Sequence, residues 1–140
     1  MSETIAQDLC MSEPSTQHDL IAREIVDAAF AVHSALGPGL LESVYESCLS
    51  YGLETRHLAV QRQVELPVFY RDLRLDAGFR MDMVVDGLVV VEIKATERLL
   101  PVHEAQLLTY LKLSGHKLGL LINFNVTLIK LGIRRLIDKP

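Results

Sequence analysis

The chain reads as an α/β domain built on a mixed sheet, and three observations predict it. Two stretches near the N-terminus carry apolar residues at three- and four-residue steps, and the middle of the chain then switches to two-residue alternation. Helical spacing returns after Pro101, and a nearly unbroken apolar run, Leu118-Gly-Leu-Leu-Ile122, follows it. Such a run suits a strand covered on both faces, which calls for helices on either side of a sheet. The predicted order is α-α-β-β-β-α-β, ahead of a last segment that fits either a strand or a short helix.

Residues 1–18 are polar, acidic and without sustained period, and read as a flexible tail before a domain over 19–140. From Asp19, a candidate N-cap, Leu20, Ile21, Ile25, Ala28, Ala29, Val32 and Leu36 follow helical spacing. Gly37-Pro-Gly39 ends that helix, because two glycines and a proline do not fit its interior cheaply. The second helix places Leu40, Leu41, Val44, Cys48, Leu49 and Leu53 on one face, with Glu42, Tyr45 and Glu46 at neighbouring helical steps. His33 and Tyr45 read as packing or hydrogen-bonding residues near the helix junction.

Strand alternation covers Val64 to Tyr70, where Pro67 marks an edge strand. After a turn at Arg71-Asp72, Leu73, Leu75, Ala77, Phe79, Met81 and Met83 occupy one face of a long second strand, with Gly78 as a bulge or bend. Val84 and Val85 lead into Asp86-Gly87 and a third strand, Leu88 to Ile93. Pro101 suits the first turn of a helix that runs to about Ser114 and stops at Gly115. Its apolar set is Ala105, Leu107, Leu108, Leu111 and Leu113; His103, Gln106 and Tyr110 share another side, with Tyr110 expected half-buried and its hydroxyl wet. Lys117 to Phe124 is the buried strand, and Ile129 to Ile137 fits either a strand or a short helix.

A chain of 140 residues that is 49% hydrophobic forms one domain with a core of its own, without disulfide staples. Cys10 and Cys48 make no disulfide framework or zinc spacing, and Cys48 is expected as a small buried hydrophobe. No apolar run reaches the roughly 18 residues of a membrane span, and the N-terminus lacks a signal-peptide pattern. A cytoplasmic protein with no membrane partner is therefore the expectation. The formal net charge of −4 resides in residues 1–19, which hold Glu3, Asp8, Glu13 and Asp19 and no Lys or Arg. Within the neutral remainder, Arg56, Arg62, Arg71, Arg74 and Arg80 recur along one segment, and Lys130, Arg134, Arg135 and Lys139 crowd the C-terminus. These fit either local basic surface or an ordinary solvated face.

Chemistry concentrates in Arg80–Lys94, where Asp82, Glu92 and Lys94 interrupt two apolar strands. A hard divalent cation needs oxygen ligands and keeps several waters, so Asp82 and Glu92, with the Ile93 carbonyl, suffice as a candidate Mg²⁺ or Mn²⁺ site. Lys94 is placed to orient a water or to stabilise developing negative charge. Gln106 is a candidate hydrogen-bond partner for that water or for Lys94, and Glu42 a candidate outer ligand.

This reading imposes a condition on the turn. A two-residue loop at Asp86-Gly87 pairs Asp82 with Val91 and turns Glu92 and Lys94 away from it. A three-residue loop, Val85-Asp86-Gly87, pairs Asp82 with Val90 and puts all three charges on one face. An odd-length loop or a compensating bulge is thus required. The bland alternative is an exposed sheet face bearing a salt-bridge pair. For Glu42 it is a glutamate favoured at a helix start, and for Gln106 an ordinary polar helix position.

The ordered set of these residues resembles the PD-(D/E)XK nuclease superfamily. Gly39-Leu-Leu-Glu42-Ser-Val-Tyr45 looks like the signature of its GxxExxY branch. Gly78-Phe-Arg-Met-Asp82, Val91-Glu-Ile-Lys94, Leu100-Pro-Val-His-Glu-Ala-Gln-Leu-Leu-Thr-Tyr110 and Gly119-Leu-Leu-Ile-Asn-Phe-Asn125 also resemble it. An isolated Glu-x-Lys carries no weight; the full set, spanning roughly residues 20–137, is specific. Met81 stands where the superfamily often has proline. The resemblance implies a restriction-endonuclease-like αβββαβ core, a mixed central sheet flanked by helices, and metal-dependent cleavage of DNA or RNA. Carried over residue by residue, it implies a site of Glu42, Asp82, Glu92, Lys94 and Gln106. So compact a domain has little surface for sequence readout, so a homodimer or another partner is expected to supply specificity. The rival expectations are a non-catalytic nucleic-acid-binding or regulatory module on the same fold, and a structural or oligomerisation protein.

Overall fold

The structure, a computed structural model, describes residues 13–139. Helix α1 (Thr16–Leu36) starts three residues before Asp19, so Thr16–His18 are helical rather than tail, while residues 1–12 lie outside the described residues. Its N-cap is Ser15: the side chain accepts the His18 N–H at 3.3 Å, and His18 Nδ1 accepts the Ser15 N–H at 3.0 Å. This reciprocal box uses histidine where the familiar signature has Glu or Gln, which hides it in the sequence. Asp19 instead pairs with Arg135 at 2.6 Å.

Helix α2 (Glu42–Thr55) is rotated from the expected face. Tyr45, Glu46, Leu49, Ser50 and Leu53 are buried, whereas Leu41 is 74% exposed, Val44 is exposed and Cys48 is only half-buried. The cause is Tyr45, whose ring stacks on Phe124 with centroids 4.6 Å apart. Its hydroxyl donates to the Gly37 carbonyl at 2.5 Å and accepts the Leu40 N–H at 3.1 Å. A fully buried aromatic with a satisfied hydroxyl outweighs the smaller Val44 and Cys48.

The sheet contains β1 (Val60–Tyr70), β2 (Leu73–Val85), β3 (Val89–Lys94), β4 (Leu118–Asn123) and β5 (Ile133–Ile137), side by side in that order. Only β3 and β4 run parallel, joined by helix α3 (Pro101–Ser114), so the sheet is mixed. Helices α1 and α2 cover one face through Met83, Val85, Val89, Val91, Leu118, Leu120 and Ile122. Helix α3 covers the other through Leu107 and Leu111 against Val84, Val90 and Leu121. Every residue of β4 is buried, as its continuous apolar run requires.

Pro67 does fall on an edge strand, at a register shift between Leu66 and Val68. Gly78 faces that irregularity, where a Cβ would collide with Val68 Cγ2. The odd positions of β2 do not share one face: Met83 packs under α1 and α2, but Met81 packs under α3. The β2–β3 loop is Asp86-Gly87-Leu88, one residue later than expected, with Val85 opposite Val89. Asp86 is pinned there by two 2.7 Å bonds with Ala59, its N–H to the carbonyl and its Oδ1 from the N–H. Asp86 (φ 51°) and Gly87 (φ 66°) supply the left-handed conformations the loop needs.

Helix α3 begins and ends where Pro101 and Gly115 indicate. Ala105 and Leu113 are exposed, however, and Tyr110 is buried rather than half-buried, its ring edge-on to Phe79 with centroids 5.2 Å apart. Both alternatives for the last segment occur, a 3₁₀ turn over Ile129–Gly132 followed by β5. Among the described residues, no helix is long and apolar enough to cross a membrane.

Two glycines of unequal surroundings test this packing. A Cβ at Gly132 would run into the Asn123 carbonyl oxygen, whereas at Gly52 it would meet nothing nearer than the Ala28 Cβ at 3.9 Å. Gly132→Ala is expected to destabilise by about 1–3 kcal/mol in denaturant unfolding. Gly52→Ala, inside α2, is expected to be neutral or stabilising by up to about 1 kcal/mol.

Candidate active site

The β2–β3 ladder runs from Val85 opposite Val89 to Met83 opposite Val91. One step further, Asp82 meets Glu92 on a shared face, as the odd-length loop requires. There the carboxylates replace the backbone ladder. Glu92 Oε1 accepts the Asp82 N–H at 2.9 Å, and Asp82 Oδ2 accepts the Ile93 N–H at 2.8 Å. Lys94 ends β3, half-buried, with its carbonyl accepting the Phe124 N–H at 3.0 Å.

Two clefts flank this pair. Glu42, Ser43, Glu46, Gln63 and Asp82 line one of about 460 Å³. Lys94, Gln106, His103 and Phe79 line part of the other, of about 560 Å³. The structure therefore brings Glu42 beside Asp82, and Gln106 beside Lys94, with Glu92 buried at 4% exposure. All five expected residues lie around one strand end, although they do not share a single cavity.

Glu42 reaches this place because the turn before it is tied down. The Gly39 N–H donates to Asn125 Oδ1 at 3.0 Å, and the Asn125 N–H donates to Asn123 Oδ1 at 3.2 Å. Asn123, 1% exposed, also accepts the Thr96 N–H at 3.1 Å and donates to the Thr96 carbonyl at 3.0 Å. The start of α2 and the loop after Lys94 thus share one amide network, centred on the buried Asn123. His33 holds the next segment through Nε2 and the Val126 carbonyl, 2.7 Å apart.

Negative potential is in excess here. Burial pushes the Glu92 carboxyl up to about 8, with the Asp82 charge adding to it and the Asp82 N–H and Lys94 opposing it. Burial, then Asp82, also raises Glu42, against the pull of Lys94. Tyr110 is pushed up to about 12 by burial and then by Glu92 and Asp82. A divalent cation relieves both burial and mutual repulsion of such a pair. Among the described residues, no three His, Cys, Asp or Glu side chains gather as a metal cluster. Two carboxylates nevertheless suffice for a cation that retains waters and takes phosphate oxygens. The donor set fits such an ion.

The expected arginine strip is largely paired internally. Arg56 meets Glu24 at 2.9 Å, Arg62 meets Glu46 at 3.0 Å, Arg80 meets Glu65 at 3.8 Å, and Arg74 meets Asp76 at 2.5 Å. Residues that sequence reasoning missed include Glu46 and Gln63 in the wall beside Asp82. Glu46 was legible as the position one helical turn after Glu42; nothing in the sequence marks Gln63.

An α/β fold with a mixed five-stranded sheet, presenting an acidic pair where the β2–β3 pairing ends and a lysine at the end of β3, defines a restriction-endonuclease-like domain. A family model described as the PD-(D/E)XK nuclease superfamily matches residues 19–136, and the chain belongs to that superfamily. Comparison with curated proteins and with solved structures finds no match. Membership implies a nuclease with a nucleic-acid substrate, and PD-(D/E)XK nucleases generally use divalent metals.

A titration follows from Glu92. Its folded pKa, about 8, lies above the unfolded value near 4.5, so the folded state binds the extra proton. That stability is fully present below the unfolded value and is lost as pH rises through 8, by at most about 1.4 kcal/mol per pH unit. Metal-free protein is expected to melt lower at pH 8.5 than at pH 5.5, and Glu92→Gln to flatten this slope. A wild-type slope retained in the variant would assign it to another group.

Proposed function

We propose that this protein is a Mg²⁺- or Mn²⁺-dependent nuclease of the GxxExxY branch that hydrolyses phosphodiester bonds of DNA or RNA. One observation carries the reading: Asp82 and Glu92 cross-bond at the edge of a regular ladder, with Lys94 beside them. A hydrophobic hairpin gains nothing from two adjacent carboxyls, one of them buried.

Asp82, Glu92 and the Ile93 carbonyl would hold the ion, with Glu42 as an outer ligand or part of a second site. When bound, such an ion neutralises phosphate charge and makes a water more acidic. The water oxygen bonds to phosphorus and releases a proton to solvent as the ester P–O bond breaks, and the departing oxygen takes a proton from solvent. Lys94 orients the water and stabilises charge growing on the phosphate oxygens. Gln106, lining the same cleft as Lys94, holds the lysine or the water by hydrogen bonding. Glu42, beside Asp82, raises the negative potential that retains the ion.

With Mn²⁺ and mixed DNA and RNA substrates, wild-type protein is expected to cleave at least one class. Asp82→Ala should abolish both cleavage and the rise in melting temperature that Mn²⁺ produces at pH 8. Lys94→Ala should retain the Mn²⁺ response but lose roughly 100-fold or more in rate. Equal cleavage by both variants would sink the assignment. Salt-sensitive binding without cleavage would favour the non-catalytic module.

The same proposal includes a homodimer. Beyond the sheet, β1 and β2 continue as a two-stranded ribbon in which Val68 pairs with Leu75 and Tyr70 with Leu73, so these four side chains share one side. Tyr70 and Leu73 are 64% and 54% exposed. A lone ribbon with an exposed apolar side, covered only at Tyr70 by the Arg71 guanidinium 5.3 Å from its ring centroid, is marginal in water, and Arg71, Asp72, Arg74 and Asp76 balance in charge, which suits a second copy better than a polyanion. Light scattering is expected to show a dimer at micromolar concentration that becomes monomeric in a Tyr70→Ser, Leu73→Ser double variant. A wild-type monomer would remove the dimer and leave the nuclease reading intact.

A further inference from the structure

Strand β1 departs from strand geometry at Gln63, whose φ is 52°. This left-handed conformation is disfavoured for a residue with a Cβ, and such outliers persist only where surrounding structure enforces them. The departure has a definite place in the sheet. Arg62 pairs with Met83 and Val64 with Met81, while the pairing omits Gln63 and Asp82 between them. Across the same point, β2 changes sides, with Met83 in the core under α1 and α2 and Met81 in the core under α3.

The enforcing contact comes from α2. Gln63 Nε2 donates to Glu46 Oε1 at 2.8 Å, and Arg62 Nε donates to Glu46 Oε2 at 3.0 Å. Arg62 also donates through Nη2 to Ser47 Oγ at 3.1 Å. Glu46 is only 7% exposed and has both carboxylate oxygens engaged. It is therefore a clamp rather than a spare ligand. Glu42 lies one helical turn before it and lines the same cleft as Gln63 and Asp82. A single turn of α2 thus faces the candidate site with one glutamate and grips the kinked strand with the next.

We propose that Glu46 and Gln63 are positioning residues. Their clamp maintains the left-handed kink that turns Asp82 toward Glu92 and sets Glu42 across from it. Divalent-cation affinity at Asp82 and Glu92 then depends on two residues that do not touch the ion. The inference rests on the reading of Asp82 and Glu92 as cation ligands.

Glycine separates positioning from mere support. Gln63→Gly removes the clamp bond but also removes the conformational strain, since glycine adopts positive φ freely. Stability is expected to stay within a few degrees of wild type or to rise. Mn²⁺ affinity, read from the electron paramagnetic resonance signal of free Mn²⁺, is expected to fall tenfold or more. Glu46→Gln, which retains the volume but only one acceptor oxygen, should weaken Mn²⁺ binding by a smaller factor. Gln63→Gly binding Mn²⁺ as tightly as wild type would overturn the inference alone. So would a loss of affinity matched by a large fall in melting temperature, which marks a structural role. A wild type without Mn²⁺ affinity, or Asp82→Ala binding equally well, would overturn the site reading and this inference with it.

Discussion

The exchange of hydrogen bonds between Asp82 and Glu92 is the constraint from which the candidate site follows. Where β2 and β3 would otherwise continue their ladder, each carboxylate takes a backbone N–H from the opposite side of the pair. Those bonds satisfy buried donors and fix both side chains. They also hold two acids together in a place where one is almost without water. Burial first, and the Asp82 charge second, make ionising Glu92 costly, and its raised carboxyl expresses that cost. On the proposed function the pair serves as a preorganised receptor for positive charge.

The rest of the fold delivers other groups to this edge from both faces of the sheet. Helix α2 is seated by Tyr45 on Phe124 and by the amide network that joins Gly39, Asn125, Asn123 and Thr96. This packing points Glu42 toward Asp82 from one side. Helix α3, held by Leu107 and Leu111, places Gln106 beside Lys94 from the other. The site is thus built across the layers. Its two clefts correspond to the two helical layers, with Asp82 lining one and Lys94 the other.

Much of the sheet was legible because its cues are local. Continuous apolar residues in β4, Pro67 on an edge, and Pro101 and Gly115 around α3 each act through backbone chemistry within a few residues. Local rules misjudged α2, because the burial of Tyr45 depends on Phe124 far along the chain. They misplaced the start of α1 because a histidine took the place of an acidic capping partner. The hairpin loop kept its expected parity yet shifted by one residue, because Ala59, just before β1, anchors Asp86.

For the site, the sequence by itself determined the residue types and their order: an acid, then a glutamate and a lysine two apart on one strand, with Glu42 and Gln106 on helices. Alternation along a strand is a covalent property, so Glu92 and Lys94 had to share a face. Whether Asp82 joined them depended on loop parity, and what each acid bonds to depended on where the ladder ends. The tertiary structure alone decided the burial of Glu92, the pairing of most arginines and the clamp between Glu46 and Gln63. A left-handed glutamine within a strand has no local cause to read. It arises from a contact between a helix and a strand, and such contacts exist only once the layers have packed.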